Sequence, residues 1–217
     1  SFCQHRIDNL ILQNGGLLSQ WKGYGGGDGY ALIFDRIKLE EMFVKHNARV
    51  LDGATCGNEV LYGADGLRGS YLGPQLDTIT KYGVQLYEER IAGSMITRPD
   101  LNHLLSLIQC MILIKHPGFR EESEYRLCVF PLQKMLIEKY GVEVSKDKEY
   151  RTVLKVQSGG KSKDCINLFD GREPLPILRI CVGPSKLKFK KADELRDILK
   201  TNGQEVEVFV SDIPYEP

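Results

Sequence analysis

A single α+β domain, a mixed β-sheet with helices packed on it across residues 1–217, is the architecture this sequence predicts, and three observations carry it. The first is Leu101 to Ile114, an apolar run opened by Pro99-Asp100, where aspartate is a good N-cap. Lys115-His116-Pro117-Gly118 closes it, because proline cannot continue a helix and glycine can take the turn. The second is the C-terminal pattern. Lys190 to Lys200 puts Ala192, Leu195, Ile198 and Leu199 on one helical face, Gly203 stops the helix, and Val206, Val208 and Val210 alternate as in a strand. The third is the apolar strand Ile177 to Val182 ahead of that helix, so strand, helix, strand closes the domain.

The remaining elements follow in chain order. Ser1-Phe2-Cys3 reads as the end of a strand already under way, which implies a missing N-terminal segment. Leu17 to Lys22 leads into a glycine-rich turn, Gly23 to Gly29, and then a buried strand, Tyr30 to Phe34. Ile37 to Val44 predicts a short helix. Val50-Leu51 and Glu59 to Tyr62 predict short strands around a polar turn, and Gly63 to Gly73, with four glycines, a loop. Leu76, Ile79, Leu86, Tyr87 and Ile91 lie near the helical period, so a helix is expected from Gln75 to Ile91 despite Gly83. The apolar residues of Leu101 to Ile114 surround the helix axis on nearly every side, which predicts a central core helix. A helix over Leu132 to Lys139, a solvated charge run over Lys146 to Arg151, and strands over Thr152 to Val156 and Cys165 to Phe169 complete the reading.

Composition narrows the function classes. With 42% hydrophobic and 27% charged residues, the chain can build one real core. Lysine plus arginine equal aspartate plus glutamate at 29 each, so no global positive field exists to drive phosphate-backbone binding, and nucleic acid is left only a local patch. The longest apolar run, Leu104 to Ile114, is far shorter than the roughly 20 residues of a membrane span, and no signal peptide is visible. A cytoplasmic protein without a membrane partner is expected. Six scattered cysteines, Cys3, Cys56, Cys110, Cys128, Cys165 and Cys181, have no C-x-x-C pair, and at least three sit inside apolar strand or helix patterns, which suggests buried free thiols in a reducing cytosol. Cys3-x-His5 alone is too little for structural zinc.

Several motifs dissolve on inspection. Gly159-Gly160-Lys161-Ser162 resembles the tail of a phosphate-binding P-loop, yet Lys155 stands where the first glycine is required and a strand follows instead of a helix. Gly23 to Gly29 gives no G-x-G-x-x-G frame and precedes a strand. Glycines there serve a tight turn, or let backbone amides, Gly25 among them, approach a ligand. Trp21 and Tyr24 beside that loop are either core and rim aromatics or flat rings that stack a planar ligand. Gly183-Pro184-Ser185 is a turn at a strand end. No Ser-His-Asp pattern is present.

The stretch Gly118 to Arg126 concentrates charge at the threshold of Leu127 to Phe130, a short apolar strand. If extension begins at Glu122, alternation places Glu122, Glu124 and Arg126 on one face. Two readings compete. In one, Arg126 pairs with a glutamate as a structural ion pair at a sheet edge. In the other, a carboxylate is fixed on a rigid strand at the mouth of a cleft.

Leu17-Leu18-Ser19-Gln20-Trp21-Lys22-Gly23-Tyr24, Gly29 to Phe34, Lys115-His116-Pro117-Gly118-Phe119, Glu122-Ser123-Glu124-Tyr125-Arg126 and Ile180 to Ser185, in that order, resemble a bacterial family, domain of unknown function 2971. The ending Ser211-Asp212-Ile213-Pro214-Tyr215 also fits, so the resemblance spans Ser1 to Pro217. Asn9 to Gly16 departs from the family as an insertion, and the family's N-terminal part is absent. The resemblance implies a phage-defence or abortive-infection setting and a toxin-like effector. The layout is also similar to ADP-ribosyltransferase-like folds, where a late strand carries a glutamate and earlier strands grip NAD. That similarity implies NAD as substrate, with Glu124 or Glu122 stabilising positive charge on the ribose as the nicotinamide bond breaks. Trp21 or Tyr24 would stack the nicotinamide beside Gly25, and Arg126 would orient the carboxylate or meet a phosphate. A noncatalytic sensor or protein-interaction module, with a protein partner at the tryptophan region, is the alternative.

Overall fold

The computed structural model describes residues 2–4, 14–26, 29–50, 52–63, 67–95, 97–131, 137–139, 141, 147–151, 153–158, 161–169 and 171–214. The fold is mixed α+β, as expected. Its strands form several small sheets, and the chain divides into two compact units, Ser1–Cys3 with Phe43–Asp170, and Gln4–Met42 with Gly171–Pro217.

The first unit is built on strands β1 (Phe2–Cys3), β3 (Asp52–Glu59) and β6 (Glu124–Pro131), in the order β1-β6-β3 and antiparallel throughout. The polar turn expected before Glu59 is therefore strand β3. Its sequence, Asp-Gly-Ala-Thr-Cys-Gly-Asn-Glu, has weak strand propensity, but pairing with the apolar β6 overrides it. Gly57 suits this pairing, since a Cβ there would stand 2.7 Å from the Tyr125 hydroxyl. β4 (Leu61–Tyr62) and β5 (Ile114–Lys115) form a parallel pair, and β7 (Val153–Ser158) and β8 (Lys161–Ile166) an antiparallel one. β8 thus precedes the strand expected at Cys165 to Phe169. Ser158 faces Lys161 in this register, which agrees with rejecting a P-loop; Gly159 and Gly160 lie outside the described residues. Most of the expected helix Leu132 to Lys139 lies outside them as well, and so does His5.

Helices α3 (Gly73–Ile91) and α4 (Leu101–Leu113) pack together in this unit. Asp100 caps α4, accepting from the His103 N–H at 2.9 Å. The helix buries a stripe, Ser106, Cys110 and Leu113, while Leu107 and Met111 are exposed, so it is amphipathic in place and not buried all round. Arg151, expected to be solvated, instead donates to the Asn167 carbonyl at 2.6 Å and to Asn47.

The second unit holds a mixed sheet in the order β10 (Glu207–Val210), β9 (Ile177–Val182), β2 (Tyr30–Phe34). β9 and β10 are parallel and joined through α5 (Lys188–Thr201), so the expected strand, helix, strand closure is present. Ile180, Val182, Val208 and Ala192 form the core, with Leu195 and Leu199 packed on it; Ile198 of the predicted face is exposed. β2 lies at the sheet edge and leaves Tyr30 and Leu32 about half exposed, so it is not the buried strand expected. α1 (Leu18–Tyr24) precedes it, and α2 (Arg36–Asn47) follows and spans the boundary between the units.

Candidate functional site

The charged threshold of β6 is a site assembled from four elements, β4 and, along one continuous stretch of chain, β5, a 3₁₀ turn and β6 itself. Pro117–Glu122 is a 3₁₀ turn, so Glu122 is not on the strand and does not share a face with Glu124 and Arg126 through strand alternation. His116 starts this turn by accepting from the Gly118 N–H at 3.1 Å, and Pro117 has no N–H to leave unpaired there. Ser123, at φ 42°, is the one non-glycine residue with positive φ among the described residues. That left-handed step costs about 1 kcal/mol or more, and it turns the chain into β6 with Glu124 pointing inward.

Glu124 is buried, 5% exposed, and its carboxylate is engaged on both oxygens. Arg126 grips it as a fork, Nε to Oε1 at 2.8 Å and Nη2 to Oε2 at 2.9 Å. Lys115, delivered by β5, reaches the same Oε2 at 3.1 Å and Glu122 Oε2 at 2.6 Å. The 3₁₀ turn thus returns Glu122 to the cluster through lysine. Two carboxylates and two cations balance. Arg126 also donates to the Ile112 carbonyl near the end of α4. Tyr62 on β4 accepts from the Glu124 N–H at 2.8 Å, and the Val60 N–H donates to the Glu124 carbonyl at 2.8 Å. Lys115 Nζ lies 4.7 Å from the Phe119 ring centroid, a cation–π contact.

The pairing sets the electrostatics. Hydrogen bonds donated to Glu122 first, and then to Glu124, hold the Lys115 ammonium above its ordinary range against the opposing effect of burial. The Glu124 hydrogen bonds likewise raise Arg126. Burial pushes the Tyr62 phenol up.

Trp21, Tyr24 and Gly25 belong to the second unit, whereas Glu122, Glu124 and Arg126 belong to the first. Trp21 is 8% exposed and donates through Nε1 to the Gly15 carbonyl at 2.6 Å. Gly183 and Gly25 pack against it: a Cβ at Gly183 would stand 2.7 Å from Trp21 Cζ3, and one at Gly25 2.6 Å from the Trp21 carbonyl oxygen. Tyr24 is exposed. A cleft of about 550 Å³ in this unit, lined by Arg196, Leu199, Lys200 and Glu207 among others, contains none of the sequence-predicted site residues.

Sequence reasoning missed the site roles of Lys115 and Tyr62. Lys115 reads as a helix-end residue, and its signal was a lone cation shortly before two glutamates. Tyr62 gave none, because only the β4–β5 pairing brings it to Glu124. Among the described residues, no group of three or more His, Cys, Asp or Glu side chains could hold a metal ion. No described helix is long and apolar enough to cross a membrane.

Residues 20–127 match the family model described as a protein of unknown function, DUF2971. The match supports the DUF2971 family. All six predicted site residues, and Lys115 and Tyr62 with them, fall inside the matched segment; the Ile180 to Ser185 stretch falls outside it. No curated protein and no solved structure matches the chain. The DUF2971 description names no activity, so the chemistry has to be argued from the site.

Proposed function

We propose that the chain is a noncatalytic interaction or sensor module in which the Glu124 cluster is a structural staple. The observation that carries this reading is the bidentate grip of Arg126 on Glu124, with Lys115 on the same carboxylate. A carboxylate that stabilises charge on a ribose needs an oxygen turned toward substrate, and both Glu124 oxygens are turned to protein cations. The cluster ties β4, β5, the 3₁₀ turn and β6 together, which is what a staple does. A protein partner is the ligand class that suits an exposed Tyr24 with the half-exposed Tyr30 and Leu32 near it in sequence. In the phage-defence setting that the family resemblance implies, the module would sense or recruit and would leave NAD intact.

The test is Glu124→Gln, followed by thermal melting and by nicotinamide release from NAD. Removing one partner of a buried pair leaves cations uncompensated, so the variant should lose about 3 kcal/mol and melt roughly 6–12 °C lower. Neither protein should release nicotinamide. Release by the wild type that Glu124→Gln abolishes, with melting unchanged, would replace this reading with the NAD-dependent, ADP-ribosyltransferase-like one.

A further inference from the structure

The antiparallel register of β3 and β6 places Cys56 directly opposite Cys128. Opposed residues in such a pair have Cα atoms about 4.5–5.5 Å apart, inside the roughly 4.4–6.8 Å that a disulfide spans. Both cysteines are free and partly buried, and the register sets them face to face across the pair. Alternation along β6 puts Cys128 on the face that carries Glu124 and Arg126.

The two thiols are unequal. The neighbouring Cys56 thiol and, against the effect of burial, the positive charge of Arg126 lower Cys128 to about 7. The neighbouring Cys128 sulfur, together with burial, pushes Cys56 up and keeps it protonated. Cys110 and Cys181 are buried and raised by desolvation, the profile of inert thiols. All six cysteines are free, as expected, but only Cys110 and Cys181 are fully buried, while Cys3 and Cys165 are exposed.

We propose that Cys128 and Cys56 form a dithiol site oxidised by hydroperoxides, with Cys128 as the attacking sulfur and Cys56 as the resolving one. The Cys128 thiolate attacks one peroxide oxygen, the O–O bond breaks, and the leaving oxygen takes a proton and departs as water or an alcohol. Cys128 is then a sulfenic acid. The Cys56 sulfur attacks it, the S–O bond breaks, and the hydroxyl leaves as water with the Cys56 proton. The two sulfurs are oxidised to a disulfide and the peroxide is reduced, so electrons and atoms balance.

The full chain would be treated with a small excess of hydrogen peroxide, remaining thiols alkylated, and peptides mapped by mass spectrometry. Exposed Cys165 serves as the internal control. The expected result is a Cys56–Cys128 crosslink formed at least about tenfold faster than oxidation of Cys165 and reversed by dithiothreitol. In Cys56→Ser, a sulfenic acid on Cys128 should be trapped by dimedone; in Cys128→Ser, Cys56 should remain a thiol. Oxidation of Cys165 ahead of the pair, or a crosslink formed only after denaturation, would overturn the proposal. If either serine variant fails to fold, the wild-type map with its internal control still decides.

Discussion

At the residue scale, burial decides what a singled-out side chain does. Trp21 looks in sequence like a ring that stacks a ligand, yet its indole is in the interior and glycines stand where side chains would collide with it. Gly183 is the sharpest case. A Cβ there would meet Trp21 Cζ3 at 2.7 Å and the Gly29 carbonyl oxygen at 2.8 Å, a ring and a backbone atom that cannot swing aside. Gly183→Ala should therefore cost about 2 kcal/mol through overpacking and lower the melting temperature. The cause can be isolated by repeating the substitution in a Trp21→Leu background, where a smaller side chain makes room. A loss of less than half that size there is the expected coupling. An equal loss in both backgrounds would move the cause to the Gly29 carbonyl.

At the element scale, local signals hold where one segment suffices to specify its own structure. Helix α4 is such a segment, with Asp100 at its start and Pro117 four residues beyond its end. The Asp100 carboxyl is held below its ordinary range, chiefly by the His103 backbone N–H it accepts from. A depressed folded value means that the cap stabilises fully above about pH 5 and fades as acid protonates the carboxylate below about pH 4. Asp100→Ala should cost about 1 kcal/mol at neutral pH, Asp100→Asn much less, and the gap between wild type and Asp100→Ala should close toward pH 3. Melting series at three pH values check this. The same locality explains what the sequence made legible. α4 carries its own cap and periodicity, and α5, β9 and β10 their own apolar patterns, so each was readable to within two or three residues. β3 was not, because its glycines and polar residues become a strand only when β6 supplies the ladder. The site divides the same way. Charge at the mouth of β6 was visible in Glu122, Glu124 and Arg126, but the 3₁₀ turn, the Lys115 bridge and the Cys56–Cys128 opposition follow from turn geometry and register, which no linear spacing encodes.

At the scale of the whole molecule, connectivity separates durable parts from labile ones. The second unit is discontinuous in sequence: β2 comes from its first segment, β9 and β10 from its last, and β9 is hydrogen-bonded on both sides. Its amides are covered by neighbours far apart along the chain, and Ile180 and Val182 on it are buried. Such a strand opens only when much of its unit opens. The β7–β8 hairpin is the opposite case. Among the described residues its strands pair only with each other, and residues 154–157 and 162–165 are exposed. A two-stranded ribbon with solvated faces is marginal by itself, so it should open locally without disturbing the rest. Hydrogen exchange read by mass spectrometry should show β9 amides exchanging on the order of a hundredfold or more slowly than those of β7 and β8, with β2 and β10 between. Both outcomes inform. If the hairpin is protected as well as β9, something covers those exposed faces in solution, and a second copy of the chain is the first occupant to test, by repeating the exchange at tenfold dilution.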